Sequence, residues 1–352
     1  MEQKTVAVLF GGQSSEHEVS CLSAVNIISN ISREKYRLLL VGITKEGRWL
    51  LTGSLDEIRD GSWREGKTRC AISPDAEDKA LLIFEENGLR KERLDLVYPA
   101  LHGVCGEDGT IQGLCRLAEI PCVGCGVAAS AVGMDKGMTK LIVGHLPVKQ
   151  ADYELVTREQ LKDMDAVVRR VESHLGYPVF LKPCNAGSSC GVTRAEDREG
   201  LVAGFLEADR FDRRFLVEEA IRGREIECAV LGGGSMAPEA SGVGEILAAE
   251  TFYTYDAKYN NPASRTVVDP ELPAGAAEAV RKAAVSIFRA IDGSGFARVD
   301  FFVEADGTVV FNEINTLPGF TAISMYPMLW EARGIMKAEL IEKLICLALE
   351  EK

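Results

Sequence analysis

Arg298, Asp300, Glu313 and Asn315 have the types and spacing of a combined cation and anion site, within FARVDFFVEADGTVVFNEINTLPGFT (296–321). This stretch reads as two apolar strands joined at Asp306-Gly307, a short hairpin signal. A two-residue turn pairs Glu304 with Val309, and a four-residue loop gives the same register. Counting outward, Asp300 falls opposite Glu313 and Arg298 opposite Asn315, all on one face because side chains alternate. Carboxylates directly opposite each other repel. A hard divalent cation removes that repulsion, and Asn315 adds an oxygen ligand of the type Mg²⁺ accepts. Arg298 then stands beside the cation, able to hold an anion. A solvated sheet face is the alternative, but the flanking Phe301, Phe302, Val310 and Phe311 are too apolar for one. Pro318-Gly319 closes the stretch in a turn whose N–H groups can point into the same site.

A second group of residues suits phosphate. SAVGMDKGMTK (130–140) predicts a helix with Lys136 and Lys140 on one face. A solvated basic face is the competing reading, stronger for Lys140 than for Lys136. YPVFLKP (177–183) predicts a buried strand in which Lys182 needs a partner. CNAGSSCGV (184–192) is a glycine-rich loop with Ser188 and Ser189, able to aim N–H groups at phosphate oxygens, though it is not a P-loop. FLVEEAI (215–221) predicts a strand, and Glu218 and Glu225 flank Arg222-Gly223-Arg224, where a carboxylate could take ribose hydroxyls or an adenine amino group. ETFYTYDAKYNNPASRTVVDPELP (250–273) is a long polar, aromatic loop, and Tyr253, Tyr255, Lys258 and Tyr259 suit a lid.

The elements that must position these groups begin with TVAVLF (5–10), a buried strand running into Gly11-Gly12-Gln13-Ser14-Ser15. Ser15 and Glu18 fit a capping box, leaving Glu16 and His17 at a helix start. Strands are also expected at 38–44, 95–103 and 120–126, with a charged, loop-rich stretch up to about Arg93. The alternation implies a small parallel sheet with ligands beyond the strand C-termini, where Glu16, His102 and Glu107 fall. Further on come a helix at 196–209, a strand at 226–231, a loosened glycine-rich stretch at 232–244 and helices at 274–291 and 336–350. Three units follow: 1–129, 130–222 and 223–352.

Composition narrows the function classes. The 352 residues are 46% hydrophobic with a net charge of −13, which argues for a soluble protein and against nucleic acid or an anionic membrane as partner. No apolar run reaches the roughly 18 residues of a membrane span, and MEQKTVAVLF lacks a signal-peptide layout, predicting cytoplasmic, reduced thiols for the ten cysteines. Cys122 and Cys125 form the only CxxC and read as packing residues; the four histidines show no metal-ligand spacing. Two lysines and a Ser/Gly loop facing a carboxylate hairpin meet the needs of phosphoryl transfer, which are charge neutralisation and alignment.

The chain resembles the ATP-grasp ligases, and within them the D-alanine–D-alanine ligase family. The resemblance is carried in order by FGGQSSEHEVS (10–20), LHGVCGEDGTIQG (101–113), MDKGMTK (134–140), FLKPCNAGSSCG (180–191), VEEAIRGREIE (217–227), FYTYDAKY (252–259), RVDFF (298–302) and NEINTLPGFTAISMYP (312–327). It implies an α/β fold with an N-terminal parallel-sheet domain and two α+β subdomains enclosing ATP. It implies phosphate contacts from Lys136 and Lys182, with Ser189 and Lys258 on the same nucleotide side, and adenosine contacts from Glu218, Ile221 and Glu225. Two Mg²⁺ ions, replaceable by Mn²⁺, would sit on Asp300, Glu313 and Asn315. Glu16 would take the ammonium of a first D-alanine, with His102 at that subsite, and Ser188 and Tyr259 would link Glu16 to the lid. Arg298 and the Gly319 N–H would hold an oxyanion, and Ser324 and Met325 would line the second subsite. The implied product is D-alanyl-D-alanine for peptidoglycan precursors, made by a homodimer. Ligation of D-serine or D-lactate and a non-catalytic ATP-binding role are the rivals; Tyr259, Met325 and the complete hairpin set favour D-alanine ligation.

Overall fold

The computed structural model describes residues 3–247 and 265–350. Its N-terminal sheet has seven strands in the order β6-β5-β4-β3-β2-β1-β7. They are β1 (Lys4–Gly11), β2 (Tyr36–Ile43), β3 (Trp49–Thr52), β4 (Arg69–Ile72), β5 (Ala80–Glu85), β6 (Gly88–Arg93) and β7 (Leu96–Pro99). Only β2, β1 and β7 run parallel to one another. The charged stretch expected to be loop-rich is instead an antiparallel meander, β3 to β6. Its strand signal is hidden because β6 carries GLRKER, whose charges are used at the edge: Arg90 bonds Glu85 at 2.7 Å and Lys91 bonds Asp78. Charged edges of this kind resist pairing with other chains. The expected strand at 120–126 contributes one parallel bridge, Val97 to Cys122.

Helix α1 (His17–Asn30) packs on this sheet and α2 (Leu55–Asp60) and α3 (Thr110–Leu117) follow. The capping box does not form. Glu16 occupies the N-cap position without a side-chain cap, and Glu18 turns to Arg64 at 2.8 Å and Lys45 at 3.2 Å. The single helix expected at 130–140 is two, α4 (Val127–Met134) and α5 (Lys136–Val143). Asp135 breaks them with extended backbone and caps α5 by accepting from the Met138 N–H.

The middle sheet is antiparallel, in the order β11-β10-β12-β9, from β9 (Tyr153–Thr157), β10 (Val179–Pro183), β11 (Thr193–Ala195) and β12 (Arg214–Glu219). Helices α6 (Met164–His174) and α7 (Arg198–Ala208) cover one face, with Val168, Val171, Leu201 and Phe205 in its core. The third sheet runs β15-β14-β13-β16-β17-β8 and comprises β8 (Lys149–Gln150), β13 (Arg224–Gly233), β14 (Met236–Leu247), β15 (Arg265–Val268), β16 (Gly295–Val303) and β17 (Val309–Asn315). Helix α8 (Ala276–Ala290) buries Val280, Ala284, Ile287 and Phe288 against it, an i, i+4, i+7, i+8 stripe.

The stretch expected to loosen at 232–244 is largely β14. Its small residues make room rather than flexibility: a Cβ at Gly244 would lie 2.3 Å from Met325 Sδ. Met325 opens α9 (Met325–Glu331), a helix the periodicity did not reveal. The last helix, α10 (Lys337–Glu350), returns to the first sheet, so that Leu340, Ile341 and Leu344 share a core with Val6, Val8 and Leu96. Among the described residues no helix is long and apolar enough to cross a membrane.

Candidate active site

The three sheets face a cavity of about 1020 Å³. One wall is the β16–β17 hairpin, with Asp300 opposite Glu313 and Arg298 opposite Asn315 as expected. The turn end differs. Val303, not Glu304, pairs with Val309; the Glu304 N–H donates to the Thr308 carbonyl and the Glu304 carbonyl accepts from the Gly307 N–H, leaving a three-residue loop in which Gly307 has φ +90°. A β-bulge between Asp300 and Phe301 takes up the one-residue offset by leaving Asn312 extra on β17. The bulge brings two successive side chains, Asn312 and Glu313, to the cavity, and Asn312 Oδ1 accepts from Lys182 Nζ at 3.2 Å.

Arg298 is half-buried among carboxylates. It donates to both Asp300 oxygens, at 2.8 and 2.7 Å, and lies 3.2 Å from Glu227 Oε2. Burial opposes its charge, but Asp300, Glu227 and Glu313 outweigh burial and hold its pKa well above the ordinary value. Asn315 donates to Asp300 Oδ2 at 3.1 Å, and Lys136 Nζ stands 3.6 Å from Glu313 Oε2. Asp300 sits behind the cavity wall rather than on it, as does Lys140.

On the opposite wall, Glu218 is shared by two lysines. Lys182 Nζ lies 2.6 Å from its Oε2, and Lys140, 1% exposed, bonds its Oε1. Lys140 is therefore not part of a solvated face; it also donates to the Ala151 carbonyl and lies 5.1 Å from the Tyr153 ring centroid. Burial works against the Glu218 carboxylate, yet the two lysines pull its pKa down to about 2. At Lys140 burial prevails and lowers the pKa, whereas at Lys182 Glu218, Glu313 and Glu225 overcome burial and raise it. The Ser/Gly loop is anchored through Asn185, which donates to Asp135 at 3.1 Å, and Asp135 also takes Arg214 at 2.6 Å. Lys136 Nζ reaches the Ala186 carbonyl at 2.8 Å. Ser188 and Ser189 both have positive φ, 49° and 58°. Such backbone costs about 1–3 kcal/mol per residue and clusters at ligand clamps.

The third wall comes from the N-terminal sheet. Glu16 abuts the loop: a Cβ at Gly187 would lie 2.9 Å from Glu16 Oε2, and one at Gly103 the same distance away. His102 is buried, Nδ1 toward the Leu317 carbonyl at 3.1 Å and Nε2 on Ser23 Oγ at 2.9 Å. Burial pulls the His102 pKa down, but Glu107, 3.5 Å away, and Glu16 outweigh it and raise the value. Among the described residues no hydrogen bond joins Ser188 to Glu16; Cys190 Sγ contacts Ser15 Oγ at 3.7 Å instead. Tyr253, Tyr255, Lys258 and Tyr259 lie outside the described residues. Ser324 caps the turn before α9, accepting from the Thr321 N–H at 2.9 Å, and Gly319, Ser324 and Met325 line the cavity.

A model of the D-ala D-ala ligase N-terminus matches residues 5–125, and one of the D-ala D-ala ligase C-terminus matches residues 142–346. The chain belongs to the D-alanine–D-alanine ligase family. It is 49% identical to the D-alanine–D-alanine ligase of Acetivibrio thermocellus over 99% of this chain and 96% of that one. In shape it matches the VanG D-Ala:D-Ser ligase from Enterococcus faecalis with a TM-score of 0.90, at 36% identity, covering 99% of this chain and 100% of that one. The ATP complex of the D-alanine–D-alanine ligase from Bacillus anthracis gives a TM-score of 0.71 at 26% identity, covering 98% and 97%. The fold is thus the ATP-grasp fold of this ligase family.

Sequence reasoning missed Asn312, Glu227 and Asp135. Only Asp135 carried a signal, since an Asp before a helical run is a cap. The histidines also hold a surprise, because His17, Glu18 and Cys21 offer ligand atoms within 4.8 Å of one another. Lys45 and Arg64 already fill that place with positive charge.

Proposed function

We propose that this chain joins two D-alanines into D-alanyl-D-alanine while cleaving ATP to ADP and phosphate. The observation that carries the reading is that Lys136 and Lys182 meet Glu313, Asn315 and half-buried Arg298 across one cavity, with Asp300 paired to Glu313 just behind its wall. Family membership supports the substrates. Asp300, Glu313 and Asn315 would hold Mg²⁺. The donor set fits: three hard oxygen ligands on one sheet face, two of them carboxylates directly opposite each other on neighbouring strands. When bound, the ions neutralise and align the transferring phosphoryl group.

Lys136 and Lys182 bind the phosphates, and the Ser188–Ser189 turn covers them. Glu218 is committed to Lys140 and Lys182, so its part is to orient Lys182, while Ile221 and Glu225 face adenosine. Glu16 takes the first D-alanine's ammonium, with His102 beside it. That substrate's carboxylate oxygen attacks the γ-phosphorus, the bond to ADP breaks, and an acyl phosphate forms. Ser324 and Met325 receive the second D-alanine, whose neutral amine attacks the acyl carbon. Arg298 and the Gly319 N–H hold the oxyanion, the amine gives up its proton, and phosphate leaves. The stretch with Tyr259 and Lys258 would close over the acyl phosphate and exclude water. The dipeptide would supply peptidoglycan precursors in a bacterial cytoplasm.

The likeness in shape to a D-Ala:D-Ser ligase favours a second reading, D-serine as acceptor. The test is incubation with ATP, Mg²⁺ and D-alanine alone or with D-serine or D-lactate, the products identified by mass. D-Alanyl-D-alanine should dominate in every mixture. Predominance of D-alanyl-D-serine would favour the second reading, and phosphate release that ignores D-alanine would sink both.

A further inference from the structure

Glu227 has been given no role, yet it stands on β13 directly across the ladder from Asp300, 7% exposed. One guanidinium lies between the two carboxylates. Arg298 holds both oxygens of Asp300 at 2.8 and 2.7 Å, while Glu227 Oε2 waits 3.2 Å from the same Nε. A carboxylate gripped through both oxygens has fewer lone pairs to offer a cation, and the guanidinium charge itself repels one. A guanidinium that left Asp300 with nowhere to go would become a buried, unpaired charge, which is costly. Glu227 supplies the place. On the same strand, the residue directly opposite Arg298 is Ala229, which has no polar group to offer. A shift of one side chain, with no backbone movement, carries the guanidinium from one strand's carboxylate to the next.

We propose that Glu227 is a positioning residue that receives Arg298 when Asp300 turns to a divalent cation. Cation binding and the aiming of Arg298 into the cavity then become one event. This rests on the reading of Asp300, Glu313 and Asn315 as cation ligands. Glu227 lines the cavity, but in this role it acts on the cation only through Arg298.

A double-mutant cycle tests it without turnover. Mn²⁺ binding to the full chain is read by EPR as the signal formed with ADP above that of ADP alone. Glu227→Gln should raise the half-saturating Mn²⁺ concentration about tenfold in the unmodified background, but less than about twofold beside Arg298→Met. An equal factor in both backgrounds would mean that Glu227 acts on the cation directly, and no shift in the unmodified background would mean that it does not act; either overturns the proposal. If the unmodified chain forms no Mn²⁺ signal, the cation-site reading itself falls, and this proposal with it. Where Arg298→Met lacks a native circular-dichroism spectrum, Arg298→Lys replaces it, because an ammonium cannot span both carboxylates, and the same outcomes apply.

Discussion

Glu313 faces Asp300 across the ladder and Lys136 across the cavity, so its charge matters more than its shape. Glu313→Gln keeps the shape and removes the charge. A cation acting on a phosphoryl oxygen contributes several kcal/mol, so phosphate release should fall by more than about 100-fold. Thermal stability should change by no more than about 0.5 kcal/mol, because the residue is partly exposed at the cavity wall. Near-normal turnover in Mg²⁺ would remove Glu313 from the ligand set. The Asp300–Glu313 pairing was legible because strand alternation is strict and the hairpin turn is marked by Asp306-Gly307. The expected turn was nonetheless off by one residue, and the bulge at Asn312 restored the register. A bulge has no compositional mark here, so neither it nor the Asn312 contact with Lys182 could be read in advance. Glu227 was hidden for a related reason: its importance comes from a neighbouring strand whose pairing partner was unknown.

At the scale of elements, the Lys140–Glu218–Lys182 group ties α5 to β12 and β10. Glu218 has a folded pKa of about 2 against an ordinary 4.5, so it contributes stability above pH 4.5 that is lost as pH falls toward 2. That difference corresponds to about 3 kcal/mol. Lys140→Met, which keeps the volume and strands part of the Glu218 charge, should cost about 3–5 kcal/mol in urea melts at pH 7. It should also weaken the acid dependence between pH 4.5 and 2. A loss under about 1 kcal/mol with the acid dependence intact would show that Lys182 alone satisfies Glu218. Helical spacing put Lys136 and Lys140 on one face but could not say that this face covers the middle sheet. The four-strand meander and α9 escaped for opposite reasons: charge at the β6 edge disguised strands, and the short α9 follows the polar Thr321–Ser324 turn.

At the scale of the molecule, no sheet holds a complete site. The first contributes Glu16 and His102, the middle one Lys182 and Glu218, and the third Arg298, Asp300, Glu313 and Asn315. The order of the motifs was legible because each is local. The shared core of α10 with β1 and β7 was not, because residues more than about 240 apart meet only through the fold. This convergence is what a phosphorylated intermediate would require, since Lys136, Lys182, Glu16, Arg298 and Gly319 border one cavity. The direct test is to supply D-alanine labelled with ¹⁸O in its carboxylate, together with ATP and Mg²⁺, and to weigh the released phosphate. One ¹⁸O per phosphate is expected, carried over when the carboxylate oxygen takes the phosphoryl group and the amine displaces it. Dipeptide formed alongside unlabelled phosphate would contradict the acyl-phosphate route.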